Sequence, residues 1–269
     1  MTQQRTDESA LTGVRNFRDV GGLPTTDGAW VRHGVLYRSG HLAYATPADR
    51  AFLSGLGLRT VFDFRNSADQ ALEGQDVPLP GVRNVNLPLN EPTDGAEFWA
   101  LVRDGSFAAL RAELTDGQGV AMMIDSYREM ILTRTAEHGQ VLRTLAAGDV
   151  PALLHCSAGK DRAGLTVALT LLAVGVARDT ILTDYLESNA PHRRYLVRRG
   201  EAAEGAGAAL PEEVAELLAP LFDARAEYLL AAFELMDSRW GGTETYLTEG
   251  LGLTPEDRER LRGLLVTAG

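Results

Sequence analysis

Residues 149–177 read DVPALLHCSAGKDRAGLTVALTLLAVGVA, and the architecture of the chain hangs on them. "DVPALLHC" is an apolar run of strand length and suits a buried strand. The uncharged run 163–177 is too short to span a bilayer and reads as a buried helix. Between them lies HCSAGKDRAG, residues 155–164. A loop that joins a strand end to a helix N-terminus is where an anion site is expected, because the first helical N–H groups are unpaired and the dipole is positive there. The same loop holds the only cysteine, Cys156, and the only lysine, Lys160, in a chain where Lys and Arg together number 26. Arg in place of Lys, with heavy use of Ala and Gly, suggests a GC-rich genome, in which a surface lysine would tend to drift to arginine.

Working outward, "VRHGVLYR" (31–38), "RTVFDFR" (59–65) and "VRNVNLPL" (82–89) have strand character. "TPADRAFLSGLG" (46–57) reads as a helix with Thr46 as N-cap, Pro47 at the first position and a glycine stop. This alternation predicts an α/β layer architecture. The spacing predicts one helix over 126–148, ended by Gly148, and further helices over 178–189, 211–238 and 254–266. Residues 90–119 carry short apolar groups interrupted by Asp-Gly steps. They read as two short surface helices, or as a lid over a pocket with Phe98, Trp99 and Phe107 on its underside.

The 269 residues, 45% of them hydrophobic, suffice for one well-buried core, and the whole chain is expected to form one domain, with 178–269 as its helical part. A formal charge of −11 argues against general nucleic-acid binding. A single cysteine excludes an intramolecular disulfide framework. No apolar signal segment opens the sequence, so the expected location is the cytoplasm, export without a signal staying open. The five histidines lie far apart and show none of the usual ligand spacings, so neither a metal nor another cofactor is expected.

Cys156 and Arg162 are separated by five residues. Gly159 and Gly164 permit turns that point successive N–H groups inward as a cradle for a tetrahedral dianion, formed by the backbone of Ser157, Ala158, Gly159, Lys160, Ala163 and Gly164. Arg162 can hold two of its oxygens in a fork. Helix N-termini and neighbouring cations lower a cysteine pKa from ~8.5 to ~3.5–7.5, so the position favours a thiolate nucleophile. Proton transfer to the leaving oxygen falls first to Asp161 by position, then to Asp63, with Asp94 and Asp104 behind them.

Together with the histidine before the cysteine, this loop resembles the phosphate-binding loop of cysteine-dependent tyrosine phosphatases. "GKDR" resembles the bacterial atypical, triple-specificity branch that also acts on phosphoinositides. "NFRDVGG" (16–22), "YRSG" (37–40), "VFDFR" (61–65), "DYLESN" (184–189) and "YLTEGLGLT" (246–254) match that branch in kind and order.

The resemblance implies Cys156 as nucleophile, Arg162 as phosphate clamp, Lys160 as a second cation at the pocket rim and Asp161 as acid/base. It also implies a mostly parallel sheet of four to five strands flanked by helices, a helical lid and no metal. His155 and Asp19 are expected to support the fold. Arg38 is expected to reach a second phosphate or to pair with an acidic neighbour. The basic run His192, Arg193, Arg194, Arg198 and Arg199 reads as a solvated face or as a guide for a lipid headgroup.

Such loops usually carry Ser or Thr after the arginine, whereas here it is Ala163, and slowed hydrolysis of the phosphoenzyme is the expected consequence. Substrate classes left open are phosphorylated proteins, phosphoinositides and small phosphate monoesters. A sulfurtransferase and a phosphate-binding pseudophosphatase are the competing readings.

Overall fold

The computed structural model describes residues 11–92, 107–114, 117–194 and 212–267. Phe98, Trp99, Asp94, Asp104, Arg198 and Arg199 lie outside the described residues. A five-stranded sheet runs in the order β1 (Arg18–Asp19), β3 (Leu36–Ser39), β6 (Ala152–His155), β4 (Thr60–Asp63) and β5 (Arg83–Asn86). β3, β6, β4 and β5 are mutually parallel, and β1 is antiparallel at the edge. β2 (Trp30–Val31) pairs with β7 (Val266–Thr267) in a small antiparallel ribbon. The expected α/β fold with a mostly parallel sheet is therefore present.

Side-chain alternation sorts two cores onto the two faces of the sheet. Leu36, Phe62, Ala152 and Leu154 join the larger cluster, with the helices Gln118–Thr133, Thr135–Ala146, Arg162–Ala173 and Ala226–Trp240. Tyr37, Val61 and Leu153 face the other way, towards Leu53 of the helix Pro47–Gly55 and towards Val14 and Phe17. Thr46 caps that helix in a reciprocal box with Asp49, and Pro47 opens it. The helix Arg162–Ala173 is buried over nearly its whole length, as its uncharged sequence requires.

The expected elements are corrected in several places. The strand anticipated over 31–38 is two pieces, because the chain turns between them through Gly34 at φ +76°. The helix anticipated over 126–148 is two helices, broken at Arg134, whose guanidinium pairs with Glu91 and Glu137. The helix anticipated over 211–238 is also two, Glu212–Phe222 and Ala226–Trp240. At that second break the Asn189 side chain accepts from Ala224 N at 2.7 Å and donates to Ala224 O at 2.8 Å. The helix Phe107–Leu114 lies at the surface, as one of the two readings of 90–119 had it: Ala108, Arg111, Ala112 and Glu113 are exposed and only one stripe is buried. Leu110 and Leu114 are buried against Val214, Leu218 and Leu221, forming a small cluster apart from the sheet. Among the described residues no helix is long and apolar enough to cross a membrane.

Candidate active site

Cys156 follows the last residue of β6 at the carboxyl end of the parallel strands, the side on which open α/β sheets build their sites. It is buried, with 2% of its surface exposed. From Ser157 to Lys160 every carbonyl of the loop is held from outside. Ser157 O accepts from His41 N at 3.1 Å, and Ala158 O accepts from Asn16 Nδ2 at 3.0 Å. Gly159 O accepts from Arg38 Nη2 at 2.7 Å and Nε at 3.2 Å, and Lys160 O accepts from Arg38 Nη2 at 3.2 Å.

A trans peptide points its N–H opposite to its C=O. Pinning these four carbonyls outward therefore turns the N–H groups of Ala158, Gly159, Lys160 and Asp161 inward. Among the described residues none of the four donates to another protein group. Unpaired N–H groups converging at the N-terminus of the helix Arg162–Ala173 are an arrangement able to hold an anion. Gly159 is required twice over. Its φ is +66°, and a Cβ there would lie 2.3 Å from the Ser39 carbonyl.

Arg162 opens the helix. Its Nη2 donates to Ser157 Oγ at 3.0 Å, and its Nη1 donates to Asn90 Oδ1 at 3.0 Å and to Asp69 Oδ2. Asp69 is itself fixed, being the third residue of a capping box with Asn66. Burial alone would lower the guanidinium pKa, but Asp69 and the Cys156 sulfur outweigh it, and the pKa rises. Sequence reading missed Asp69 and Asn90. The capping pattern at 66–69 marks the helix start but carries no sign that its carboxylate would reach Arg162.

Asp161 immediately precedes this helix. Its Oδ1 accepts from the Tyr127 hydroxyl at 2.9 Å and lies 3.2 Å from Lys160 Nζ. Lys160 is not at a rim. It is 3% exposed, and its Nζ donates to Leu221 O at 2.8 Å and Asp223 O at 3.0 Å. These carbonyls lie at the C-terminal end of the helix Glu212–Phe222, where a cation is favourable. The lysine thus lies against three oxygens of its own protein, buried where a place at the pocket rim was expected.

Arg38 is likewise corrected. It is fully buried behind the loop, and besides the two carbonyls its Nη1 pairs with Asp184 Oδ2 at 3.2 Å. Of the two roles expected for it, the acidic neighbour is the one present. Arg18 shares the same carboxylate, with Nε 3.2 Å from Asp184 Oδ1, and it donates to Asn16 Oδ1 at 2.5 Å and Ser188 Oγ at 3.2 Å. Burial and repulsion from Arg38 lower the Arg18 pKa to about 10 despite Asp184. Gly164 leaves room for this layer, since a Cβ there would meet Arg38 Nη2 at 2.7 Å.

On the opposite face of the sheet, Asp63 is occupied in a way that removes it as the alternative acid. Its Oδ1 accepts from Arg65 N at 2.9 Å and Nε at 3.0 Å, and its Oδ2 accepts from Arg65 Nη2 and Gln70 Nε2, each at 3.0 Å. His155 points to the same side, with Nε2 2.8 Å from Asp76 Oδ2 as an ion pair rather than an aligned hydrogen bond. Burial would lower the His155 pKa, but Asp76 raises it on balance, and Asp76 is held down at about 2 against its own burial by that imidazolium and by Arg65. The ligand atoms of Asp63, Asp76 and His155 lie within 4.8 Å of one another. Arg65 already bonds both carboxylates, so a guanidinium stands where a cation would sit. Asp19 accepts from Gly21 N and Gly34 N at 2.8 Å each and so ties the edge strand to the turn beside it.

Of the five segments that carried the resemblance, the first and second bond the loop through Asn16 and Arg38, and the fourth stands behind them with Asp184 and Ser188. The third fixes Asp63 through Arg65, while 246–254 packs away from the loop, with Tyr246 on Ile131 O and Leu251 O on Arg143. Residues 9–267 match the profile described as the Tyrosine phosphatase family. A Cupriavidus necator protein named "Putative tyrosine-protein phosphatase" is 36% identical over 263 residues, covering 94% of this chain and 86% of the relative. The triple specificity protein phosphatase PtpB of Mycobacterium tuberculosis is 34% identical over 276 residues, covering 95% and 98%. Among solved structures, TpbA of P. aeruginosa is 23% identical with a TM-score of 0.33, over 60% of this chain and 73% of that one. With its single cysteine in the loop between β6 and the helix Arg162–Ala173 and the family match running almost end to end, the chain belongs to the tyrosine phosphatase family and is a cysteine-dependent phosphatase of that type.

Proposed function

We propose that this chain, acting as one catalytic unit, hydrolyses phosphomonoesters through a phosphocysteine at Cys156. The observation that carries the reading is the loop whose carbonyls are all pinned outward, leaving four N–H groups and Arg162 around the cysteine. The Cys156 thiolate attacks phosphorus as the ester P–O bond breaks, and the leaving oxygen takes the proton of Asp161. Charge on the equatorial oxygens is held by the N–H groups and by the Arg162 fork. In the second step water attacks phosphorus, Asp161 accepts the water proton, and the P–S bond breaks to return the thiolate and release phosphate. Asp161 suits both steps, because it adjoins these N–H groups and Lys160 and Tyr127 engage only one of its oxygens.

The substrate class proposed is phosphotyrosine together with phosphoserine or phosphothreonine and phosphoinositides. Its support is the likeness to the mycobacterial relative named for triple specificity, 34% identical across 95% of this chain. The test is phosphate release from a phosphotyrosine peptide, a phosphoserine peptide, phosphoinositides and sugar phosphates, with Cys156→Ser as the blank. Cys156-dependent turnover of the first three is expected. Turnover confined to the sugar phosphates would replace the substrate class. None at all, with vanadate still bound, would make the chain a phosphate-binding module.

A further inference from the structure

Two tyrosines that neither the mechanism nor the loop motif uses lie beneath Asp161. Tyr127, from the helix Gln118–Thr133, is 0% exposed, and Tyr185, from the helix Arg178–Leu186, is 1% exposed. The Tyr127 hydroxyl donates to Asp161 Oδ1 at 2.9 Å and lies 2.8 Å from the Tyr185 hydroxyl. Since Tyr127 gives its proton to the carboxylate, the proton between the two phenols comes from Tyr185. A chain of two donors therefore ends on one oxygen of Asp161.

We propose that Tyr127, backed by Tyr185, is a positioning residue that fixes the orientation of Asp161 as the acid and base of the reaction. This rests on the proposed role of Asp161. The phenols suit the task because burial holds the pKa of both well above the ordinary tyrosine value, so they remain donors across the working pH range. A phenol that does not titrate pins one carboxylate oxygen and leaves the other to exchange a proton with substrate. Phenylalanine at either position would fill the core equally well, so hydrophobic packing alone does not call for the two hydroxyls.

The other groups facing this carboxylate are few. Lys160 lies 3.2 Å from the same oxygen. Tyr228, from the helix Ala226–Trp240, feels the Asp161 charge, but its own hydroxyl donates to Pro220 O at 2.7 Å. Arg38 acts on Tyr185, and Arg162 follows in the chain. Lys160 and Tyr127 thus meet on the same oxygen, Oδ1, and hold it in place.

The experiment is kcat/KM of Tyr127→Phe on two substrates, an unactivated phenyl phosphate that needs an acid and an activated nitrophenyl phosphate that does not. Asp161→Asn runs beside it. Activity on phenyl phosphate should fall about tenfold more than on nitrophenyl phosphate, since misplacing the acid costs only the substrate that needs it. Tyr185→Phe should give the same pattern in smaller measure, and it carries the test if Tyr127→Phe does not fold. An equal loss on both substrates, or none on either, would overturn the proposal while leaving Asp161 as the acid. An Asp161→Asn enzyme fully active on phenyl phosphate would instead sink the underlying role of Asp161.

Discussion

Replacing Arg38 by methionine should damage phosphate binding more than its distance from the pocket suggests. The side chain is fully buried and makes three hydrogen bonds to the Gly159 and Lys160 carbonyls, plus the pair with Asp184. Breaking a buried ion pair by removing one partner usually costs about 3–5 kcal/mol. Asp184 keeps Arg18, however, and Arg18 is relieved of the repulsion that helps hold its pKa at about 10. The expected loss of stability is therefore near the lower end, about 3 kcal/mol.

The functional effect is separate. Without Arg38, two carbonyls lose their donors and their peptide planes are no longer locked with N–H inward. Losing even one N–H to a bound dianion forfeits about 1.5–3 kcal/mol, which is roughly a 10- to 100-fold weaker anion. Urea unfolding and competitive inhibition by vanadate, both on Arg38→Met, read the two quantities independently. Arg38→Lys should retain charge but engage fewer oxygens and fall between. A destabilised Arg38→Met with wild-type vanadate affinity would refute the idea that this residue sets the direction of the loop amides.

Three further outcomes are expected. Asp69→Asn should lower kcat/KM on a phosphotyrosine peptide by about tenfold, since a charged anchor of Arg162 becomes a neutral one; an unchanged value would mean that Asn90 and Ser157 suffice to hold the fork. Ala163, wholly buried after the arginine, lacks the hydroxyl usual at that place, so rapid-quench kinetics should show a burst and trapped phosphocysteine, with Ala163→Ser shrinking the burst; no burst in the wild type would defeat the expectation. His138 is fully buried and burial lowers its pKa to about 3, so it remains neutral in the fold while the unfolded chain protonates near ~6.5. Its contribution to stability is complete above that unfolded value and is lost as pH falls towards about 3, with a slope of up to ~1.4 kcal/mol per pH unit. His138→Leu should flatten that slope, and identical slopes in both proteins would exclude His138 as the cause.

The helix boundaries show what a linear reading can carry. Thr46 and Pro47, and again Thr254 and Pro255, mark helix starts that are present with reciprocal caps. Such signals act within one turn and need no partner from elsewhere. The breaks at Arg134 and at 223–225 had no local sign, because Arg134 is held by Glu91 and Ala224 by Asn189. Asp63 and Asp161 shows the same divide in the site. Both are carboxylates at the carboxyl end of the sheet, yet Arg65 claims both oxygens of one while the other keeps an oxygen for chemistry.

By itself, the sequence determined the loop at 155–164, with its single cysteine, the proposed nucleophile, its arginine and its two glycines. Each follows from spacing along ten residues, over which backbone geometry allows few alternatives. Tertiary structure alone decided the duties of the charged residues. Lys160 turned inward to a helix end, Arg38 gripped the loop from behind, and Asp69, Asn90 and Tyr127 arrived from segments far away in sequence. A buried charge has to find a partner to offset its desolvation, and which partner it finds depends on which segments the folded chain brings within about 3 Å of it.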